Sequence, residues 1–288
     1  VVPASGGTPR EVTGGNFHHR GNISWSADGG HLIFSADRHP DWEYRPLEAD
    51  IYQVSLKDGS IKALTSRSGP ETQPLTSPKG NKIAYLSFED NKMSSQNLDL
   101  YVMDKDGSNA VNLTPKLDRS IQDLQWAPDG KGIYFTYDDH GQRSLSYVNM
   151  SGKRRELDIK LGGLFLGRPY TSGNFRVGKN GSLVYTKGDV MRPSDLVFRK
   201  RQGHETQLTG LNEDLLAHKS LAEVKALTVK SSLDGRDIES WIALPPGFDA
   251  GKKYPLVLEI HGGPHAAYGP NFAAELQLMA AKGYVVEW

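Results

Sequence analysis

Apolar and polar residues alternate along most of the chain in short runs, and the runs recur. In GIYFTY (132–137), Ile133 and Phe135 fall on one side of an extended backbone and Tyr134 and Thr136 on the other, the period of a β-strand. Four longer stretches read as one turn followed by an apolar strand: ISWSADGGHLIFSA from Ile23, PLTSPKGNKIAYLS from Pro74, LQWAPDGKGIYFTY from Leu124 and FRVGKNGSLVYTKG from Phe175. Their turn glycines, Gly29, Gly80, Gly130 and Gly181, are spaced 51, 50 and 51 residues apart. So constant a period marks a repeat architecture. In each repeat another strand follows, from Asp50, Asp99, Ser144 or Asp195. Then comes a tight turn: KDGS at Lys57, KDGS at Lys105, MSGK at Met150 or RQGH at Arg201. A short last strand ends in ALT, NLT, REL or QLT, from Ala63, Asn112, Arg155 and Gln207.

Four short strands with glycine turns in each repeat predict a β-propeller blade. The expected fold is therefore mostly β, with four complete blades in an incomplete ring over residues 1–222. ASGGTPREVT (4–13) matches the last turn and last strand of a further blade whose other strands would lie upstream.

Near Glu223 the rhythm stops. EVKALTVKSSLDGRDIESWIALPPGFD predicts two strands joined at Asp234-Gly235, and YPLVLEIHGGP a third, buried strand running into two glycines and a proline. NFAAELQLMAAKG has apolar residues at near-helical spacing, with Gly283 placed to end the helix. YVVEW then starts a fourth strand. This order predicts that residues 223–288 open an α/β sheet, which the glycine loop and the resemblance given below make the start of an α/β-hydrolase domain.

Composition narrows the reading. Lys+Arg and Asp+Glu are both 34, so the chain lacks the basic footprint of a nucleic-acid binder, and no nucleic-acid partner is expected. No apolar run approaches the length of a membrane-spanning helix, and no membrane partner is expected. There is no cysteine, so neither a disulfide framework nor a redox compartment is indicated; cytoplasm and periplasm both stay open. His18, His19, His31 and His39 lack nearby ligands at a recognised metal spacing, so neither metal nor cofactor is expected. Asn22-Ile23-Ser24 and Asn112-Leu113-Thr114 are formal glycosylation sequons, a pattern common by chance.

In an α/β-hydrolase the loop after the third strand supplies a backbone N–H to the oxyanion hole. That backbone must face the reacting carbonyl without side chains in between, which suits glycine. The W-[SA]-[AP]-D-G turns at Trp25 and Trp126, DLYVMDKDGSNAVNLT, SSLDGRDIESWIALPPGFD and YPLVLEIHGGPHAAYG together resemble the prolyl oligopeptidase (S9) family of serine peptidases. The likeness is greatest to its acylaminoacyl-peptidase/dipeptidyl-peptidase branch; LGRPY (166–170) and DWEYRPLEADIY (41–52) add to it. It runs over essentially the whole chain. It implies a propeller of about seven blades that screens a C-terminal hydrolase domain, and a Ser-His-Asp enzyme hydrolysing short peptides. Such an enzyme carries its nucleophile in a Gly-x-Ser-x-Gly elbow, followed by Asp and His. No such elbow occurs here, so the triad is expected outside this chain. The chain then reads as an internal piece, inactive alone, whose partners are a peptide substrate and the remaining segments of the same enzyme; a homo-oligomer is left open.

The resemblance assigns Gly263 as an oxyanion-hole N–H, with Gly262 and His261 shaping the loop, and the sharp strand exit predicts a positive φ at Gly263. His265 is read as either lining the acyl pocket or solvated. Arg168 either grips a peptide carboxylate or carbonyl, or ties two blades together. Glu43 and Glu48 either hold a peptide amino terminus or are solvated. A second function class is a non-catalytic binding propeller, which would have no need of a strand–HGGP–helix unit.

Overall fold

The computed structural model describes residues 1–288 apart from Gln202 and Pro264, and apart from the side chain of Arg20. The turn residue Gln202 of RQGH and the proline of HGGP thus lie outside the described residues. Strands take 41% of the chain and helices 5%, so the protein is mostly β. The first sheet contains β1 (His18–Trp25), β2 (His31–Asp37), β3 (Asp50–Ser55) and β4 (Ile61–Ala63). The second contains β5 (Glu71–Thr76), β6 (Lys82–Ser87), β7 (Asp99–Asp104) and β8 (Val111–Asn112). The third contains β9 (Ile121–Trp126), β10 (Gly132–Asp139), β11 (Gln142–Asn149) and β12 (Arg154–Leu161). The fourth contains β13 (Phe175–Val177), β14 (Leu183–Asp189), β15 (Arg192–Arg199) and β16 (Glu205–Gln207). In all four, neighbours in the sheet are neighbours in sequence. After the short helix α1 (Glu213–Leu216) comes a sheet of a different kind, ordered β17 (Glu223–Lys230), β18 (Asp237–Leu244), β20 (Val285–Glu287), β19 (Leu256–Leu258). There β19 and β20 run parallel, and the crossover between them carries helix α2 (Ala274–Ala281).

The chain forms two compact units, residues 1–137 with 146–157, and residues 138–145 with 158–288. The repeat is visible at atomic level. Gly29, Gly80, Gly130 and Gly181 have φ of +69°, +72°, +69° and +77°. Their N–H groups donate to Ser26, Ser77, Ala127 and Gly178 carbonyls at 2.8–2.9 Å. A side chain with a Cβ disfavours this left-handed turn, which explains the fixed glycine. The aspartate and threonine of the repeat form a clamp. Thr114 Oγ1 accepts from Leu100 N (2.9 Å) and donates to Asp99 (3.3 Å); Thr209 Oγ1 accepts from Leu196 N (2.9 Å) and donates to Asp195 (2.7 Å). Thr65 Oγ1 likewise accepts from Ile51 N at 2.8 Å. In the third repeat serine replaces the aspartate, and Lys160 Nζ donates to Ser144 Oγ instead (2.7 Å).

In the first unit the period of two places alternate side chains in different cores. Ile83, Tyr85 and Met103 of the second sheet pack with Ile33, Ile51 and Leu64. Ala84, Leu86, Leu100 and Val102 pack with Ile121, Ile133 and Phe135 of the third. Both faces of the middle sheet are thus covered, which is why β6 is buried nearly end to end.

One charged residue breaks the apolar pattern. Glu71 opens β5 as Ile121 opens β9: Glu71 N donates to Ala49 O at 2.6 Å and Ile121 N to Leu98 O at 2.9 Å. Both side chains are fully buried. Among the described residues, neither Glu71 carboxylate oxygen has a hydrogen-bond partner, nor has the nearby buried Tyr85 hydroxyl. Burial, assisted by the neighbouring Asp50, pushes Glu71 up to about 7 against the pull of Thr65 and Arg67.

Two expectations need correction. Residues 4–13, read as an orphan last strand, form no strand. A last strand pairs with the third strand of its own repeat, and no described strand pairs with this segment. It is held instead by Arg10 Nη2 donating to Leu56 O (2.7 Å) and by Val12 packing on the first sheet. The run read as a buried strand at 256–260 is an edge: Leu256, Leu258 and Ile260 are 59%, 58% and 75% exposed.

Candidate functional site

Strand β19 pairs in parallel with β20 from Leu256↔Val285 to Leu258↔Glu287, and Glu259 N extends the ladder to Glu287 O at 2.8 Å. The chain then leaves the carboxyl end of the strand, where open α/β sheets bind ligands. Gly262 and Gly263 are exposed. Among the described residues, neither N–H has an acceptor. Contrary to expectation, neither glycine has a positive φ. Instead, a Cβ on Gly263 would lie 2.9 Å from His265 N, while one on Gly262 would meet nothing within 4 Å. Close approach, not a left-handed backbone, is what calls for glycine at 263.

His261 Nδ1 lies 2.9 Å from Gly262 O. A carbonyl only accepts, so this nitrogen carries a proton. The His261 ring stands edge-on to Tyr268, centroids 5.2 Å apart. His265 is exposed, with no side-chain partner among the described residues.

Arg168, on the connector between β12 and β13, meets this loop. Its Nη1 donates to Glu259 Oε1 and to the Tyr268 hydroxyl (3.2 Å), and its Nε lies 3.2 Å from Glu275 Oε2. Tyr268 donates to the same Glu259 oxygen at 3.1 Å. Burial first, and that bond to Glu259, push the phenol up to about 12, so it remains a donor. The backbone laces the same two segments together. Thr171 N donates to Ala267 O (3.0 Å), Gly269 N to Pro169 O (2.9 Å), Ala274 N to Leu166 O (2.8 Å) and Glu275 N to Gly167 O (3.3 Å). The last two satisfy first-turn donors of α2, whose N-cap Ala273 has no side chain to do so. These contacts give Arg168 a structural tie, though from a connector to a strand end and a helix rather than from blade to blade.

Glu43 and Glu48 belong to the first unit. Glu43 lies exposed in a single 3-10 turn, and Glu48 accepts from Ser68 Oγ at 3.3 Å. Of the four weighed histidines, His39 contacts Asp37 at 3.1 Å and Asp50 at 3.6 Å, and His31 lies 3.9 Å from Asp28. No cluster of three or more residues able to hold a metal occurs among the described residues. Sequence reasoning missed Glu259, Tyr268 and Glu275. A carboxylate inside the apolar run LVLEI was the available signal for the first.

Residues 1–84 match the family model of the dipeptidyl peptidase IV N-terminal region. Dipeptidyl-peptidase 5 of Porphyromonas gingivalis is 28% identical over 92% of this chain and 38% of its own length. Dipeptidyl-peptidase 5 of Arthroderma otae is 26% identical over 94% and 38%. An acylaminoacyl peptidase in complex with Z-Gly-Gly-Phe-chloromethyl ketone superposes with TM-score 0.73 at 25% identity, over 92% of this chain and 39% of that one. The chain is related to the S9 serine peptidases, the prolyl oligopeptidase family. It spans 38% of the length of these curated S9 relatives. A Pyrococcus horikoshii acylaminoacyl peptidase shares the fold at TM-score 0.71 and 24% identity, over 92% and 39%.

Proposed function

We propose that this chain is part of a serine peptidase that releases dipeptidyl or acylaminoacyl units from short peptides. In this reading residues 1–222 are propeller blades that limit substrate size, and residues 223–288 begin the α/β-hydrolase domain. The sheet order β17-β18-β20-β19, with α2 in the parallel crossover, supports that beginning. The observation that carries the reading is the Gly262-Gly263 pair: two side-chain-free backbone donors without acceptors among the described residues, exposed just past the carboxyl end of a parallel strand.

The chemistry is acyl transfer. A serine from a Gly-x-Ser-x-Gly elbow outside these 288 residues attacks the scissile carbonyl, and its proton passes to a histidine oriented by an aspartate. As the carbonyl becomes tetrahedral its oxygen gains negative charge. The Gly263 N–H donates to that oxygen, beside the N–H of the residue after the serine. His261 orders the loop through Gly262 O, leaving the Gly262 carbonyl turned to the imidazole. His265 borders the acyl pocket, and Glu43 and Glu48 are candidates for the peptide amino terminus. The relatives' names and the peptidyl chloromethyl ketone complex support a peptide substrate.

The full-length protein tests this directly. A serine-directed fluorophosphonate is expected to label it covalently and to abolish release of coumarin from dipeptidyl or acylaminoacyl substrates. Neither labelling nor hydrolysis would refute the reading.

A further inference from the structure

We propose that Arg168 is a positioning residue for the loop 260–268: one guanidinium, carried on the connector between β12 and β13, fixes both ends of that loop. Its catalytic consequence rests on the functional reading above; its structural content does not.

Glu259 is the last residue on the β20 ladder, and Tyr268 sits where the chain bridges to Tyr170. Among the described residues of the stretch between them, His261 bonds the adjacent carbonyl, and Ala267 O is taken by Thr171. Ile260 and His265 are exposed. Arg168 contacts Glu259 and Tyr268 with the same Nη1, and those two bond each other, so the three form a closed triangle across the loop's base. Glu275 on Nε fixes the plane of the guanidinium, because a planar fork held on two edges cannot rotate freely. Removing the arginine leaves Glu259 and Glu275 without their shared cation and reduces the side-chain tie across the loop's base to the Tyr268–Glu259 hydrogen bond. A lysine carries one charged point and cannot satisfy three acceptors in this plane.

This differs from a substrate-gripping arginine, which needs its donor edges free. Here Nε and Nη1 are both engaged. The two roles separate kinetically: a substrate ligand acts on KM, whereas a residue that places an oxyanion donor acts on kcat.

The test uses Arg168→Met, Arg168→Lys and Tyr268→Phe in the full-length protein. Amide hydrogen exchange is followed by mass spectrometry in peptides covering 255–275, where the hydrogen-bonded Glu259 and Gly269 amides close the base of the loop, and, as internal control, 223–244. Arg168→Met is expected to speed exchange in 255–275 roughly tenfold or more, with a smaller effect for Arg168→Lys and for Tyr268→Phe, and no change in 223–244. Unchanged exchange in 255–275 overturns the proposal. If Arg168→Met also loosens 223–244, its fold has failed, and the same criteria pass to the two milder variants. On peptide substrates kcat per titrated active site is expected to fall roughly ten- to a hundredfold, with KM little altered. A raised KM with kcat intact overturns the proposal in favour of a substrate ligand. Faster loop exchange with normal kcat and KM upholds the positioning role and refutes the oxyanion reading instead.

Discussion

Glu71 offers a perturbation whose size follows from the fold. It is fully buried, both its oxygens lack partners among the described residues, and the equivalent place in the next repeat holds Ile121. Asp50, Thr65, Arg67 and Tyr85 are polar groups facing it, and burial raises its own carboxyl from the ordinary 4.5 to about 7. The folded state thus holds this proton more tightly than the unfolded chain does. The resulting stabilisation is fully present below about pH 4.5 and is lost as pH rises through 7. At 1.36 kcal/mol for each pKa unit, the loss is about 3 kcal/mol across that window. Glu71→Ile copies the apolar arrangement of the neighbouring core. It should remove this slope and leave the variant more stable than the parent at pH 8 by up to a few kcal/mol, while the gap narrows at pH 5. Urea unfolding followed by circular dichroism at pH 5, 6, 7 and 8 measures both. Histidine titration is common to the two proteins and cancels in the difference. A variant whose stability runs parallel to the parent from pH 5 to 8 would refute the reasoning.

Two substitutions elsewhere test the repeat. Gly80 and Gly130 share one backbone conformation but not one environment: a Cβ on Gly80 would meet Ala27 Cβ at 2.3 Å, while one on Gly130 meets nothing within 4 Å. Gly130→Ala should cost about 1 kcal/mol for the left-handed backbone alone, and Gly80→Ala distinctly more, read from chemical unfolding. Thr114→Val removes the acceptor of the buried Leu100 N–H and a donor to Asp99, and should cost about 1–3 kcal/mol; a midpoint unchanged in the same assay would show the clamp to be dispensable.

What could be read in the sequence follows from what local physics enforces. The turn glycines were legible because a positive φ excludes most other residues, so a fixed spacing survives between strands of varied composition. The aspartate and threonine of the repeat were visible as letters, but their clamp appears only when the third and fourth strands are side by side. Residues 4–13 misled because the same letters form a strand only beside a ladder partner. Leu256–Ile260 misled because an apolar run does not say whether its strand is central or at an edge. Arg168 stood out in LGRPY, yet its partners lie 91 and 100 residues away, beyond any local pattern. Glu71 was open to discovery by laying one repeat over the next, since it stands where Ile121 does.

The central claim is that the Gly263 N–H stabilises the oxyanion, and the two glycines supply their own control. A Cβ at 263 would lie 2.9 Å from His265 N, whereas one at 262 meets nothing within 4 Å. The decisive measurement is kcat, per active site titrated with a serine-directed reagent, for Gly263→Ala and Gly262→Ala in the full-length protein. Displacing one oxyanion donor should lower kcat by roughly 10²–10³ in Gly263→Ala, with little change in KM, while Gly262→Ala turns over near normally. A normal kcat for folded, titrated Gly263→Ala would contradict the account.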